Sequence, residues 1–551
     1  MLTIYCRNTG TSKTFPEGTS LLEMLPEFEF EKPYRIISAK VNHVSQGLKF
    51  RAYNNKEVEF LDASEYSGMR VYRRSLSFLF CKAARDVIPG SRVHIGHAIS
   101  NGYYCRLFKP DNSPVSDGDV SLIKARMQEI VDKDLQFRRQ DISTDEAIRI
   151  FRDRGMLDKV KLFETNGEVY TDYYTLGDSP DYYYGRLVPS ASYLDVWDIL
   201  RFADGILLRV PDFKHPDRLA RMVDEPKTFE AFSESTRWNR IMDLETVGDV
   251  NLAIRRGSAS ELIQVAEALQ EKKIVQIAEE IERRHNDEGL KLVLITGPSS
   301  SGKSTFCKRL SIQLKACGIR PVSVSTDDYF VNRVETKLLP DGSYDFDNFD
   351  TVDHDFLQSD LLKMLGGETV DVPEYNFVTG LREFNGKKLS IDDNTVILVE
   401  GIHALNRLLT DRIPEELKFR IFISTLTSTP LDDHNWIPTS DNRLLRRIIR
   451  DYRNGSFTPR QTISQWPKVR AAEETWIKPY KEDADVMFNS AYLIEFAVLR
   501  NYAEPLLLSI PKNCPEYSEA HRLLKFIHYF TPVSDREIPA TSLMREYIGN
   551  K

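Results

Sequence analysis

The stretch KLVLITGPSSSGKSTFCKRLSIQLKACG, Lys291–Gly318, decides the fold that we expect for the second half of this chain. Its first part, Lys291–Gly297, is a continuous apolar run, which is typical of a strand buried on both faces of a parallel sheet. Its last part, Lys303–Ala316, carries apolar residues along a helical segment, and Gly318 ends it. The stretch therefore predicts a strand, a tight loop and a helix, in that order.

The loop between them fits the pattern G-x-x-x-x-G-K-[ST], which describes a phosphate-binding P-loop. Backbone N–H groups of such a loop surround phosphate oxygens, and the N-terminal end of the next helix adds positive potential. We expect Lys303 to contact the β- and γ-phosphates of ATP, and the Ser304 hydroxyl to bind Mg²⁺. The predicted ATP-binding residues are contiguous: Gly297, Pro298, Ser299, Ser300, Ser301, Gly302, Lys303, Ser304 and Thr305.

Four further strand candidates follow the loop and predict a doubly wound α/β domain, whose ligands lie at the carboxyl ends of the strands. They are Pro321–Thr326, Thr395–Gly401, Phe419–Ser424 and Ala484–Asn489. Asp327 and Asp328 follow one of them, and Glu400 lies at the end of another. A single acid there is usually a helix cap, but acids at two strand ends favour a metal ligand or a base. We predict Glu400 as a metal ligand.

No N-K-x-D guanine motif follows the loop, and the next segments resemble the uridine kinase and phosphoribulokinase family instead. STDDYF, Ser325–Phe330, is similar to the segment that carries the family's catalytic base, which would be Asp327. Asp328 stands where the family commonly has serine. YDFDNFDTVD, Tyr344–Asp353, is similar to the segment that places an acid on ribose hydroxyls, and the resemblance assigns that role to Asp347.

A third segment, VPEYNFVTG at Val372–Gly380, resembles the part of the family that frames the acceptor base. The resemblance implies acceptor contacts by Tyr375 and Phe377, and by Arg382, which aligns with a family arginine. Gly380 stands where these nucleoside kinases have a base-reading histidine. The acceptor is therefore predicted as a nucleoside, with uridine or cytidine first, and another polyol or a sugar phosphate remains open.

The segment NRLLRRIIRDYRNG, Asn442–Gly455, resembles the family's lid, which we place at about 440–478. Its arginines cover more than one face of a helix. A solvated basic helix would be the ordinary interpretation, but lid arginines of a P-loop kinase neutralise the transferred phosphoryl group. We predict Arg446 and Arg450 as catalytic, although the spacing leaves open which arginines face inward.

The front half resembles threonyl-tRNA synthetases. Residues 1–62 are similar to their ubiquitin-like β-grasp (TGS) domain, and residues 63–212 to their α+β editing domain. Phe78 and Lys82 stand where that domain has zinc-binding histidines, so we expect an inactive editing module, and binding of RNA, of a small ligand or of its own kinase domain is left open. His94 and His97, three residues apart, are interpreted as ordinary residues because ligand partners are missing from the sequence around them.

The remaining segments are a helical linker at 213–287, the kinase domain at 288–511 and a helical tail at 512–551. The net charge of −8 excludes a global attraction to nucleic acid, and six scattered cysteines without a CxxC pair predict a reducing compartment. The start shows no signal peptide and no apolar run could span a membrane, so we expect a cytoplasmic location. A homo-oligomer is left open. A further hypothesis from the front half is an RNA- or ribosome-associated regulator that uses ATP as a switch.

Overall fold

The computed structural model describes residues 1–339 and 341–550. The first unit is a five-stranded mixed sheet with strand order β2-β1-β5-β3-β4, in which β1 pairs parallel with β5 and antiparallel with β2. This arrangement confirms the β-grasp prediction. The elements are β1 Leu2–Cys6, β2 Thr11–Phe15, α1 Leu21–Met24, β3 Ser38–Val41, β4 Val44–Gly47 and β5 Lys56–Leu61.

The second unit is an α+β region around helix α2, which is buried along most of its length because two sheets and α3 surround it. One sheet has the order β11-β12-β7-β6 and the other β10-β9-β8. The elements are α2 Tyr66–Val87, β6 Arg92–Ile99, β7 Gly102–Phe108, α3 Asp117–Asp132, β8 Phe137–Ser143, α4 Thr144–Asp153, α5 Leu157–Asn166, β9 Tyr170–Leu176, β10 Ser179–Asp181, β11 Asp198–Phe202 and β12 Gly205–Arg209.

Three helices connect this region to the next sheet: α6 Pro226–Ile241, α7 Val247–Arg255 and α8 Ala259–Glu288. Helix α8 is more than a linker, because Ile274, Ile277 and Ile281 share a buried cluster with Val293 and Ile295 of the following strand. The predicted linker therefore forms part of the core of the second half.

The second half contains the predicted parallel sheet, in the order β14-β19-β13-β20-β21. All five predicted strands and the helix after the P-loop are confirmed. The elements are β13 Leu292–Thr296, α9 Lys303–Ala316, β14 Arg320–Ser325, α10 His354–Leu365, β15 Val370–Asp371, β16 Glu374–Asn376, β17 Leu381–Glu383, β18 Lys388–Leu389, β19 Thr395–Glu400, β20 Lys418–Ser424, α11 Thr439–Arg453, α12 Pro459–Trp476, β21 Val486–Asn489, α13 Glu495–Leu508, α14 Tyr517–Ile527 and α15 Arg545–Ile548.

The two halves are joined by a buried polar junction. The loop before α11, Pro430–Ile437, enters the second unit, where Lys159 Nζ donates to Asp432 Oδ1 at 2.8 Å. His94 lies 3.0 Å from Asp433, and the backbone N–H of Ile95 donates to the Asp433 carbonyl at 2.7 Å. This junction fixes the start of the lid to the front half. Within the described part of the chain, no helix combines the length and the apolar character that crossing a bilayer requires.

Candidate functional site

The P-loop joins β13 to α9 at the carboxyl edge of the parallel sheet, as its sequence predicts. Gly302 has φ +93°, a left-handed conformation that a side chain would strain, and it begins α9. Gly297 lies against the Ile423 carbonyl, where a Cβ atom would clash. The loop can therefore turn tightly and present its backbone N–H groups to an anion.

Four polar side chains converge at this edge. The Ser304 hydroxyl donates to Glu400 Oε1 at 3.1 Å, and Lys303 Nζ donates to the Pro298 carbonyl at 3.3 Å. Burial lowers the pKa of Lys303, while the nearby Glu400 and Asp327 carboxylates raise it. Burial, and then the charge of Glu400, raise the pKa of Asp327 to about 6, against the opposite effect of Lys303. The structure thus brings the predicted base, the predicted phosphate-binding lysine and the predicted metal ligand together.

The donors around Ser304 fit Mg²⁺, because hydroxyl and carboxylate oxygens are its usual ligands. Among residues 1–339 and 341–550, no three His, Cys, Asp or Glu side chains form a metal-ligating group. An ion held by Ser304 and Glu400 would therefore rely on water and substrate phosphates for its other ligands, which is how Mg²⁺ is commonly bound.

An aromatic cluster includes residues of the segment that is predicted to bind the acceptor. Tyr375 packs against Phe330 and Phe377 with ring centroids 5.4 and 5.1 Å apart. Tyr375 is buried and its hydroxyl has no hydrogen-bond partner, whereas Phe377 is 61% exposed. Asp347 is partly buried, and burial raises the pKa of its carboxyl group to about 6, while the neighbouring Arg447 lowers it. These residues supply an apolar surface and a carboxylate beside the P-loop.

His403 is a residue of this region that the sequence did not single out. Its ring is buried beside the backbone of Asp347 and Asn348 and lies edge-on to Phe349 at 5.5 Å. Burial lowers its pKa to about 4, so the ring is neutral near pH 7. Its place, three residues after Glu400, was the only sequence signal that pointed to it.

The structure explains why position 380 is a glycine. It has φ +74°, and a side chain there would collide with Arg333, whose guanidinium donates to the Phe377 carbonyl at 2.5 Å. Arg333 forms no ion pair with any described carboxylate. An unpaired cation therefore lies beside the position where a base-reading histidine was expected.

The predicted lid comprises α11 and α12, and its arginines have different environments. Arg447 donates to Ser299 Oγ at 3.1 Å, and Arg450 donates to Asp451 at 3.1 Å. Arg443 donates to the Ser299 carbonyl at 2.8 Å and pairs with Glu473, which also accepts from the Ser299 N–H at 3.3 Å. The lid helices thus contact the P-loop directly.

Arg446 differs from the prediction, which placed it among the catalytic residues. It is 1% exposed and pairs with Glu495 on α13. Its other donors reach Ser490, the Ser300 carbonyl and Tyr547. These contacts use the N–H groups of Arg446. Its side chain therefore stabilises the P-loop from within the protein core and is not oriented toward a phosphate in this structure.

Arg382 also differs from its predicted role. Its guanidinium donates to Asp353 Oδ2 at 2.9 Å and lies over the Phe356 ring, 5.1 Å from the centroid. These contacts tie β17 to the start of α10. The structure therefore gives Arg382 a supporting position rather than one facing the acceptor.

The tail reaches the P-loop, which the sequence did not predict. Thr305 Oγ1 donates to Glu546 Oε2 at 2.8 Å, and the Tyr547 hydroxyl donates to the Ser300 carbonyl at 3.2 Å. Tyr547 is fully buried beside Gly302. Helix α15 thus lies directly against the P-loop.

The residues of the front half that the sequence analysis discussed are engaged in packing and hydrogen bonds within the fold. Phe78 is fully buried against Phe137, with ring centroids 5.7 Å apart, and Lys82 donates to Asp178 at 2.9 Å. His97 stacks on Phe232 at 4.1 Å, and burial lowers its pKa to about 3. Together with the contact of His94 to the junction, these environments fit the interpretation of both histidines as ordinary residues.

Comparison with known proteins gives separate matches for the two halves. The family model described as phosphoribulokinase / uridine kinase family matches residues 292–493. The threonine–tRNA ligase of Parabacteroides distasonis is 28% identical over 191 residues, which are 35% of this chain and 29% of the ligase. That of Carboxydothermus hydrogenoformans is 30% identical over 192 residues, or 35% of this chain and 30% of the ligase. The chain spans about three-tenths of the length of these curated relatives.

A solved structure described as a possible uridine kinase from Bacillus stearothermophilus is 22% identical, with a TM-score of 0.25. It covers 36% of this chain and 89% of that one. The family match and the ligase matches confirm the two resemblances inferred from the sequence. The domain boundaries and the roles of individual site residues remain predictions.

Proposed function

We propose that this protein transfers the γ-phosphoryl group of ATP to a hydroxyl group of a nucleoside. The observation that carries the proposal is the convergence of Asp327, Lys303 and Glu400 at one edge of the parallel sheet, beside the Ser304 hydroxyl. Phosphoryl transfer needs positioning and neutralisation of charge more than covalent chemistry. This group supplies a base, a phosphate-binding cation and oxygen ligands within one region.

The proposed step uses Asp327 as the general base. Its carboxylate accepts the proton of the acceptor hydroxyl while the acceptor oxygen forms a bond to the γ-phosphorus, and the bond from that phosphorus to the bridging oxygen breaks to release ADP. Lys303, Arg447 and Arg450 are proposed to hold the phosphates, and closure of the lid would exclude water. Mg²⁺ held by Ser304 and Glu400 would add positive charge at the phosphates when bound.

The nucleoside class is supported by the pairing of a carboxylate with aromatic rings. Asp347 is proposed to accept hydrogen bonds from vicinal ribose hydroxyls, and Phe377 offers an exposed ring to a base. The unpartnered Tyr375 hydroxyl is proposed to contact the acceptor as well, because buried polar groups without partners are rare.

A sugar phosphate is the second candidate acceptor, and Arg333 favours it. Its guanidinium forms no ion pair with a described carboxylate and lies where a histidine would read a neutral base. A planar guanidinium binds phosphate oxygens well. An acceptor with its own phosphate group would use this charge.

The test is a screen of ATP consumption by the full chain with nucleosides, polyols and sugar phosphates. We expect product formation with a nucleoside, and its loss in Lys303→Ala with the fold unchanged. Turnover with sugar phosphates alone would select the second candidate. Acceptor-independent ATP hydrolysis stimulated by RNA would contradict both and favour the ATP-switch hypothesis.

For the front half we propose a non-editing module that contacts RNA or a small ligand. Phe78 and Lys82 offer no imidazole at the positions where the synthetase resemblance expects zinc ligands. We expect the full chain to contain no stoichiometric zinc and to leave mischarged threonine tRNA intact. Hydrolysis of that tRNA would overturn this proposal.

A further inference from the structure

A basic cavity of about 80 Å³ lies where the first unit, the second unit and the tail meet. One water molecule needs about 10–15 Å³ of such space, so the cavity admits a group of several atoms. Its walls come from β4, the start of α2, the loop after β10, and α14. The polar residues that line it are Ser45, Ser67, Arg70, Arg74, Tyr184, Arg186, Ser518, His521, Arg522 and Lys525.

The cations of this basic cavity outnumber the acids that neutralise them. Glu519 is shared by two arginines, at 2.8 Å from Arg70 and 2.5 Å from Arg522. Asp172 lies 3.4 Å from Arg186 and 3.8 Å from Lys525. It is also paired with an arginine outside the cavity at 2.8 Å. Among the described residues, only Arg522 of these cations has a further carboxylate, Asp441 in the first turn of α11. The cavity therefore has unbalanced positive charge.

Arg74 is the clearest case of this imbalance. It forms no ion pair with any described carboxylate, and its one hydrogen bond to protein runs to the Arg186 carbonyl at 3.0 Å. Gly185 gives it room, because a side chain at that position would collide with the guanidinium. Burial lowers the pKa of Arg74, and the charges of Arg70 and Arg522 lower it further.

Lys525 lines the cavity on α14, and nearby positive charges repel its ammonium group. Burial lowers its pKa, Asp172 opposes that shift, and the charges of Arg186 and Arg74 add to it. Arg74 has no described carboxylate and Lys525 only a shared one, so an anion placed between these two cations would stabilise both.

We propose that the basic cavity binds a small phosphorylated molecule through its phosphate oxygens. Arginine forks and serine hydroxyls match the several acceptor oxygens of a phosphate group better than the two of a carboxylate. The site is separate from the P-loop, since it contains none of Gly297–Thr305. Its recessed shape favours a terminal phosphate or diphosphate over a continuous nucleic-acid backbone.

The cavity is connected to the lid through one side chain. Arg522 donates to Asp441 Oδ2 at 2.6 Å and to Oδ1 at 2.9 Å, and Asp441 is in the first turn of α11. A phosphate that attracts Arg522 competes with this contact. Occupancy of the basic cavity is therefore expected to change the lid contact as well as the local charge.

The test uses the full chain with Lys303→Ala, which removes the P-loop lysine, and inorganic pyrophosphate as the probe in calorimetry at about 0.1 M salt. We expect one remaining pyrophosphate site whose affinity falls about tenfold in Lys525→Gln, since one charged hydrogen bond is lost. Lys214→Gln is the matched control, because Lys214 is exposed and forms no ion pair with a described residue. Its affinity should stay unchanged.

Arg74→Gln is the second variant and should weaken binding at least as much. If it does not fold, Lys525→Gln decides alone, because that side chain is 39% exposed and its loss leaves the core intact. Loss of all pyrophosphate binding in Lys303→Ala, or equal affinity in Lys525→Gln and Lys214→Gln, would overturn the proposal. So would binding of a short RNA that depends on Lys525 in a protein that does not bind pyrophosphate.

Discussion

Glu546, in the last helix of the chain, accepts a hydrogen bond from the Thr305 hydroxyl at 2.8 Å. Thr305 is the final residue of the predicted phosphate cradle, so a carboxylate of the tail lies at the point where a nucleotide phosphate is expected. The charge of Glu546 also acts on Lys303 and raises the pKa of its ammonium group. The tail and the nucleotide therefore place negative charge in the same region.

The first prediction is that Glu546→Gln lowers the KM for ATP. Two like charges close together at a protein surface repel by roughly 1–3 kcal/mol, so a decrease of about tenfold is expected. Steady-state kinetics with varied ATP measure it. Glu537→Gln is the control, since Glu537 is an exposed acid of the same tail. A higher KM in Glu546→Gln would show that Glu546 helps to bind the nucleotide.

The second prediction concerns the junction of the two halves, where Lys159 is fully buried between Asp432 at 2.8 Å and Asp181 at 3.2 Å. Lys159→Met leaves buried carboxylates without their cation, which typically costs about 3–5 kcal/mol. Denaturant unfolding should show a midpoint well below that of the native chain.

Lys161→Met is the matched control for this prediction, because Lys161 lies on the same helix, is 42% exposed and pairs with Asp249. An exposed pair contributes about 0.2–1 kcal/mol, so its midpoint should change little. Equal midpoints for the two variants would mean that the buried junction does not stabilise the fold.

The third prediction is a loss of kcat/KM below about pH 6. The pKa of Asp327 and that of Asp347 are each raised to about 6, and each group is proposed to act as a carboxylate. Protonation therefore removes activity as the pH falls through 6, and two groups give a limiting slope of up to two decades per pH unit. Asp347→Asn should reduce that slope to about one. A profile that is flat from pH 5 to 7 in both proteins would contradict the assignment.

The sheet and the P-loop could be predicted from the sequence because each of these segments determines its own local structure. Apolar strand runs and the glycines of the loop specify burial and backbone conformation within a few residues, and all five strands appear where expected. The same patterns could not show which of the neighbouring residues Arg446 and Arg447 has its guanidinium free for a phosphate. Adjacent positions on α11 point in different directions, and the partner of Arg446 is Glu495, on another helix.

Long-range contacts of single side chains left no local signal. Nothing around Glu546 indicates that it reaches Thr305, and the loop at Pro430–Ile437 shows no pattern that predicts its entry into the front half. Such contacts depend on how separate units dock, which periodicity within one segment does not report. Arg333 is a similar case, because Gly380 pointed to a missing histidine and not to the arginine beside it.

The last prediction separates the roles of Asp327 and Asp347. Asp327 follows β14 beside Lys303 and Glu400, where a base can reach both the acceptor hydroxyl and the γ-phosphate. Loss of a general base typically costs about 10²–10⁴ in rate, so Asp327→Asn should lower kcat strongly with little change in the KM for ATP. Asp347 lies near Arg447, on the side that we propose for the acceptor. Asp347→Asn should instead raise the acceptor KM and weaken the preference for ribose over 2′-deoxyribose, because a charged partner of the hydroxyls is removed.

Steady-state kinetics of both variants on the best acceptor measure these effects, with Asp328→Asn as the control for a neighbouring acid. If Asp347→Asn leaves the acceptor KM and the sugar preference unchanged, the ribose assignment is wrong and the sugar phosphate candidate gains. If Asp327→Asn keeps most of its kcat while Asp328→Asn or Glu400→Gln loses it, the base is one of those two carboxylates.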